Sequence, residues 1–113
     1  MTDDDVDLVF HALADATRRD IVVRVAQQAE SVSRLADRYS MSFAAVQKHV
    51  AVLERASLVV KQRRGREQIV HGNIDTVRKA TRLLQQYELL WHQRVQSMTE
   101  ILSEDHTQGE SES

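Results

Sequence analysis

Midway along this 113-residue chain the spacing of apolar residues changes twice. Up to residue 56 they recur every three or four positions, the period of an amphipathic helix. From 58 to 71 the period is two, and beyond 73 the helical value returns. Leu58, Val59 and Val60 lead into the cationic stretch 61–64, Gly65 permits a turn, and Gln68, Ile69 and Val70 come back. This predicts a β-hairpin set between helices, although its tip is not one of the strongest turn dipeptides. The length suffices for one modest core and not for two, so one domain must carry the function.

The helical segments have recognisable starts. Residues 6–14 form a short apolar-periodic stretch, and Asp15 is placed to cap a second helix over 16–28 with Ile21, Val22 and Val25 facing inward. Ser31 or Ser33 can cap a short third helix in which Val32, Leu35, Ala36 and Tyr39 recur. Ser40 and Met41 make a tight connection, and Ser42 caps a fourth helix to about residue 56. A helix, a short turn and a second capped helix is the outline of a helix-turn-helix unit. Asn73 or Asp75 then caps a long helix to about residue 102. Its apolar positions Val77, Ala80, Leu84, Tyr87, Trp91, Val95, Met98 and Leu102 alternate steps of three and four with one slip, a seam that needs a partner.

Charge is unevenly spread. The net charge of -2 argues against a polyanionic partner, but residues 1–7 and 103–113 together hold eight acids and no Lys or Arg. Residues 8–102 carry all fifteen Lys and Arg against nine acids, a net of +6. We expect 1–5 to be an acidic N-terminal extension and 103–113 a disordered acidic tail. With no cysteine, disulfides and thiolate chemistry are excluded. No apolar run approaches the roughly 20 residues that span a bilayer, and the start is acidic where a secretory signal would be basic. The expectation is a soluble, cytoplasmic, nucleoid-associated protein with no membrane partner.

The fourth helix has two faces. At 100° per residue, Phe43, Val46, Val50 and Leu53 fall on one side and are expected to pack against the preceding helix, while Ala44, Gln47, Lys48, Ala51 and Arg55 share the other. That outer face suits a major groove. Ala44 and Ala45 allow close approach, Gln47 can pair bidentately with adenine, and Lys48 can reach guanine or phosphate. Their place in the first two turns matches how recognition helices dock. In the hairpin, Lys61, Arg63, Arg64 and Arg66 surround Gly65, a self-repelling set that phosphates would neutralise. Each feature alone also fits an ordinary solvated surface. Together they point to double-stranded DNA.

With these residues in view, the sequence resembles the ArsR/SmtB family of winged-helix repressors from residue 9 to 102. The run Leu13-Ala14-Asp15-Ala16-Thr17-Arg18-Arg19 is similar to that family's opening motif, with Ala16 where a proline is usual. Ser42 through Val46, Lys48-His49 and Val52-Leu53 resemble its recognition helix, and Ser57-Leu58-Val59 its Gly-Leu-Val entry to the wing. The resemblance implies a mainly α fold with a small β-hairpin, a winged helix-turn-helix over 6–102. It also implies a homodimer through the first and last helices, which puts Val9, Leu13, Leu84, Tyr87, Trp91, Val95 and Met98 at the interface. It further implies repression from an inverted-repeat operator, with His49 and Arg18 supporting the DNA-facing region alongside Ser42. For His49, an imidazole packed beside Val46 and Val50 and bonded to backbone stands next to a phosphate contact.

The family's ligand sites do not carry over. Where many relatives have a metal-binding Cys-x-Cys pair, this chain has Ser31-Val32-Ser33, and serine hydroxyls are poor ligands for thiophilic metals. The Asp-x-His pair and later His of the zinc-binding relatives are also missing, since Asp75 is followed by Val77 and His92 by Val95. No metal and no cofactor is expected. A metal shared by residues that only dimerisation unites, such as His11 and His92, stays open. So does an organic effector near Tyr87 and Trp91, two residues for which dimer core is the favoured reading. An enzyme is not expected, because three glycines leave no phosphate-cradling loop and no nucleophile–base spacing is present. The alternative function is a protein-interaction module that pairs its long helix with another chain.

Overall fold

The computed structural model describes residues 1–103 in full, and of 104–112 only that they continue the last helix. The expected acidic tail lies, from residue 104 on, outside the described residues. The chain divides into two units, Met1–Ala80 and Thr81–Ser113.

In the first unit, α1 (Asp3–Leu13) begins earlier than the apolar period suggests, inside the segment read as an acidic extension. Thr2 Oγ1 accepts the Asp5 N–H at 3.2 Å and Asp5 Oδ2 accepts the Thr2 N–H at 3.1 Å, a reciprocal capping box. Asp3, Asp4 and Asp5 sit at the positive end of the helix dipole. The Thr2 N–H bond holds the Asp5 carboxyl below its usual range. The signature was obscured because the third residue is Asp rather than Glu or Gln. Asp15 caps α2 (Ala16–Gln27) as its sequence position requires, accepting the Arg18 N–H at 3.0 Å.

A two-residue strand β1 (Glu30–Ser31) precedes α3 (Val32–Tyr39), whose cap is Ser31. Ser40 ends α3 in the left-handed region at φ 52°, and the Met41 N–H donates to Ala36 O at 3.1 Å, closing the helix so that Ser42 can cap α4 (Phe43–Arg55). After α4 the motif repeats, with Ser57 at φ 60° and Leu58 N–H donating to Leu53 O at 3.0 Å. Strands β2 (Val59–Arg64) and β3 (Glu67–Gly72) follow. They pair antiparallel from Val59↔Gly72 to Arg64↔Glu67, leaving Gly65 and Arg66 as a two-residue loop. Gly65, at φ 63°, takes the first loop position, where a primed hairpin turn needs positive φ.

The sheet order is β1-β3-β2, so the hairpin gains a third, very short strand that two residues of sequence could not announce. Asn73 Oδ1 accepts the Asp75 N–H at 3.3 Å at the start of α5 (Ile74–Glu112), and its Nδ2 donates to Ser57 O at 2.9 Å.

One core joins these elements: Ile21, Leu35, Val46, Val50, Leu53, Leu58 and Val70 are buried in it, with Val77 and Ala80 packed partly against it. One sequence reading is corrected here. Val9, placed at the dimer interface, is 1 % exposed and belongs to this core, so it has no surface to offer a second copy. Its neighbour Phe10, 42 % exposed, is the large apolar residue that α1 presents outward. Leu13 is partly buried against the same core.

A polar clamp fixes α3 against α2. The Tyr39 hydroxyl donates to Asp20, Arg24 Nε donates to the same carboxylate oxygen at 2.9 Å, and the guanidinium lies 5.4 Å from the ring centroid. Partial burial, then the bond to Asp20, pushes the phenol up to about 12. Hydrogen bonds from Tyr39 and Arg24 hold Asp20 below the usual carboxylate range. The folded phenol titrates above the unfolded value of 10.0. Its contribution to stability is therefore complete below pH 10 and is lost as pH rises through about 12. Absorbance titration should show a phenolate appearing near that pH in the wild type and missing from Tyr39→Phe.

Candidate nucleic-acid interface

The Ser42 cap accepts the Ala45 N–H at 3.1 Å and fixes where α4 starts. Val46, Val50 and Leu53 are fully buried, while Ala44, Lys48 and Arg55 are exposed and Ala45, Gln47 and His49 are half-buried. The inner face is therefore as the wheel drew it except at Phe43, which is 46 % exposed instead of packed. Helical side chains lean toward the N-terminus. At the first helical position there is no preceding turn for the ring to lie over.

Behind this helix, Arg18 is engaged inward. Its Nε donates to Ala12 O at 2.7 Å and one terminal nitrogen to His11 O at 3.1 Å, satisfying carbonyls at the end of α1. The other terminal nitrogen is 3.4 Å from His49 Nδ1, which lies 3.9 Å from Asp15 Oδ2. The Arg18 N–H bond is the main reason the Asp15 carboxyl lies below its usual range. One side-chain group thus joins the ends of α1, the start of α2 and the middle of α4.

The four hairpin cations separate into two sets. Lys61 is half-buried, with Nζ 3.7 Å from Glu54 Oε1 of α4, so it braces the wing rather than crowning it. Arg63, Arg64 and Arg66 are exposed around the tip, and Arg63 Nε donates to Gly65 O at 3.3 Å. Gln68, opposite Arg63 in the register, accepts from Gln47 Nε2 at 3.4 Å. No sequence signal marked Gln68. Only the pairing register brings it over α4. Through this contact the outer face of α4 and the wing become one surface, with Ala44, Gln47 and Lys48 at one end and the arginines at the other.

The second unit is helix. Leu84, Tyr87, Trp91, Val95 and Met98 are all exposed, Trp91 at 66 %, as are Leu90, Ile101 and Leu102. His92 Nε2 lies 3.3 Å from Glu88 Oε1. Among the described residues, no three His, Cys, Asp or Glu side chains gather as a metal site would need, and no helix is long and apolar enough to cross a membrane.

No protein-family model matches the chain. It is 35 % identical over 74 residues to an uncharacterized HTH-type transcriptional regulator of Bacillus subtilis, YuzN, covering 59 % of this chain and 80 % of the relative. Among solved structures it resembles an ArsR-like transcriptional regulator from Rhodococcus sp. RHA1, with 29 % identity and a TM-score of 0.80 over 88 % of this chain and 91 % of the other. It shares its fold with a homodimeric winged helix-turn-helix DNA-binding domain from Mycobacterium bovis, with 23 % identity and a TM-score of 0.63 over 78 % and 88 %.

Proposed function

The chain belongs to the ArsR-type winged helix-turn-helix transcriptional regulators, DNA-binding proteins, and from that premise we propose that it is a repressor that binds an inverted-repeat operator as a homodimer. In this reading α4 enters the major groove and the wing tip meets the backbone or a narrow minor groove. The observation that carries it is the Gln47–Gln68 hydrogen bond, which makes the groove-facing helix and the arginine-tipped wing one surface. Gln47 and Lys48 read base edges, Ala44 and Ala45 permit the approach, and Arg55, Arg63, Arg64 and Arg66 neutralise phosphates. Arg18, His49, Ser42 and Lys61 hold these groups in place.

Self-pairing is supported by the run of exposed apolar residues along α5, a kind of surface that monomeric soluble proteins rarely leave in water. An isologous pair places two recognition helices on neighbouring half-sites. The domain proper runs from 6 to 102, with the capped first turn of α1 extending it to Asp3. The effector is read as organic or absent, since the Cys-x-Cys and Asp-x-His ligand pairs of metal-binding relatives have no counterpart in this sequence.

The test is retardation of a labelled fragment of the gene's own upstream region, against scrambled competitor, at two salt concentrations. Specific, salt-sensitive binding is expected. A dimer that retards no DNA at either salt would move the reading to a protein partner for the long helix. Within the site, Gln47→Ala should relax sequence preference, whereas Arg64→Ala should weaken binding to all sequences alike and, with one arginine lost from each subunit, lower the salt slope by about two. Equal, sequence-blind losses from both would remove base reading from Gln47.

A further inference from the structure

We propose that Phe43 reads the C5-methyl group of a thymine lying one or two base pairs from the base contacted by Gln47. The inference rests on the docking of α4 just described and concerns a residue whose sequence pattern assigned it to the core.

Phe43 is the first residue of the recognition helix, directly after the Ser42 cap, and nearly half of it is exposed. The groove-facing residues around it, Ala44, Gln47 and Lys48, are small or polar. A benzyl group gains nothing from phosphates or from the donors and acceptors of base edges, which it would desolvate without replacing their hydrogen bonds. The major groove offers one apolar group, the thymine methyl, and Phe is among the side chains that contact it.

Spacing locates the thymine. Phe43 and Gln47 are one helical turn apart on the same row, which separates their Cβ atoms by about 5–6 Å. Successive base pairs rise about 3.4 Å. The two side chains therefore meet bases one to two steps apart, and since Gln favours adenine the half-site should hold an adenine and a thymine at that separation.

The experiment is selection of binding sites from a random duplex pool by the full-length protein, followed by replacement of the selected thymine with deoxyuridine, which lacks only the methyl. Wild type is expected to bind the deoxyuridine duplex about fourfold more weakly per substituted half-site, the worth of one buried methyl group. Phe43→Ala should bind the two duplexes equally, and Phe43→Leu should keep most of the preference. Thermal unfolding of each variant shows that the fold is retained. If wild type binds both duplexes equally, or Phe43→Ala still distinguishes them, the assignment is wrong while the operator reading stands. A pool that yields no enriched sequence overturns the operator reading and this one with it.

Discussion

Affinity for specific DNA is expected to fall about 10³–10⁵-fold between 50 and 200 mM salt in the wild type, the loss associated with 6–10 phosphate contacts. The exposed cations supply that number in a dimer: Arg63, Arg64 and Arg66 at the wing tip and Arg55 on α4, each present twice. Replacing the three wing arginines with alanine removes six charges per dimer and should make the log–log salt slope shallower by about 5. Lys61→Ala should behave differently. Its ammonium faces Glu54 within the protomer, so its loss should alter the set of the wing more than the count of displaced counterions. Binding isotherms at four salt concentrations for the three proteins decide the matter. An unchanged slope in the triple variant would mean that the wing does not touch the backbone.

Trp91→Arg is expected to convert the dimer to monomer. Trp91 is the most exposed aromatic residue of α5, and an isologous interface uses each residue twice. With about 2 kcal/mol or more at each of two sites, the dissociation constant should rise at least about 10³-fold, enough to be seen by sedimentation at micromolar concentration. Far-ultraviolet dichroism should stay helical. The monomer has half the phosphate contacts, so its salt slope should fall to about half that of the wild type. A dimer that survives the substitution would place the pairing surface elsewhere than on the α5 stripe.

These expectations could be framed because much of the fold is written locally. Asp15, Ser31 and Ser42 are caps whose side chains compete for backbone N–H groups whatever lies around them, so the starts of α2 and α4 could be read from single residues and that of α3 narrowed to Ser31 or Ser33. The hairpin followed from a change of period and one glycine. What stayed hidden depends on contacts between distant segments. Strand β1 exists only because β3 offers it an edge, and Lys61 could not be told from the tip arginines without knowing that Glu54 would lie beside it. Val9 and Phe10 are adjacent, and which of them faces the core is decided by how α1 rests on its neighbours. The outer face of α4 was legible except at Phe43, the one position where the wheel assumes a helical turn that has not yet begun. The hydrogen bond from Gln47 to Gln68 was beyond reach, because it needs the strand register as well as the helix.

The two joints that flank α4 carry a last consequence. At Ser40 and at Ser57 the backbone takes a left-handed conformation, which costs a residue with a β-carbon about 1–2 kcal/mol. Glycine would relieve that strain and also bring the freedom to leave the conformation. With serine at both ends, and Asn73 fastened to the Ser57 carbonyl, the helix is hung between stiff couplings. Less conformational entropy then remains to be lost on docking, so association should be fast and nearly rigid-body. A glycine pair at 40 and 57 would give a protein that searches more loosely and settles more slowly on the same sequence.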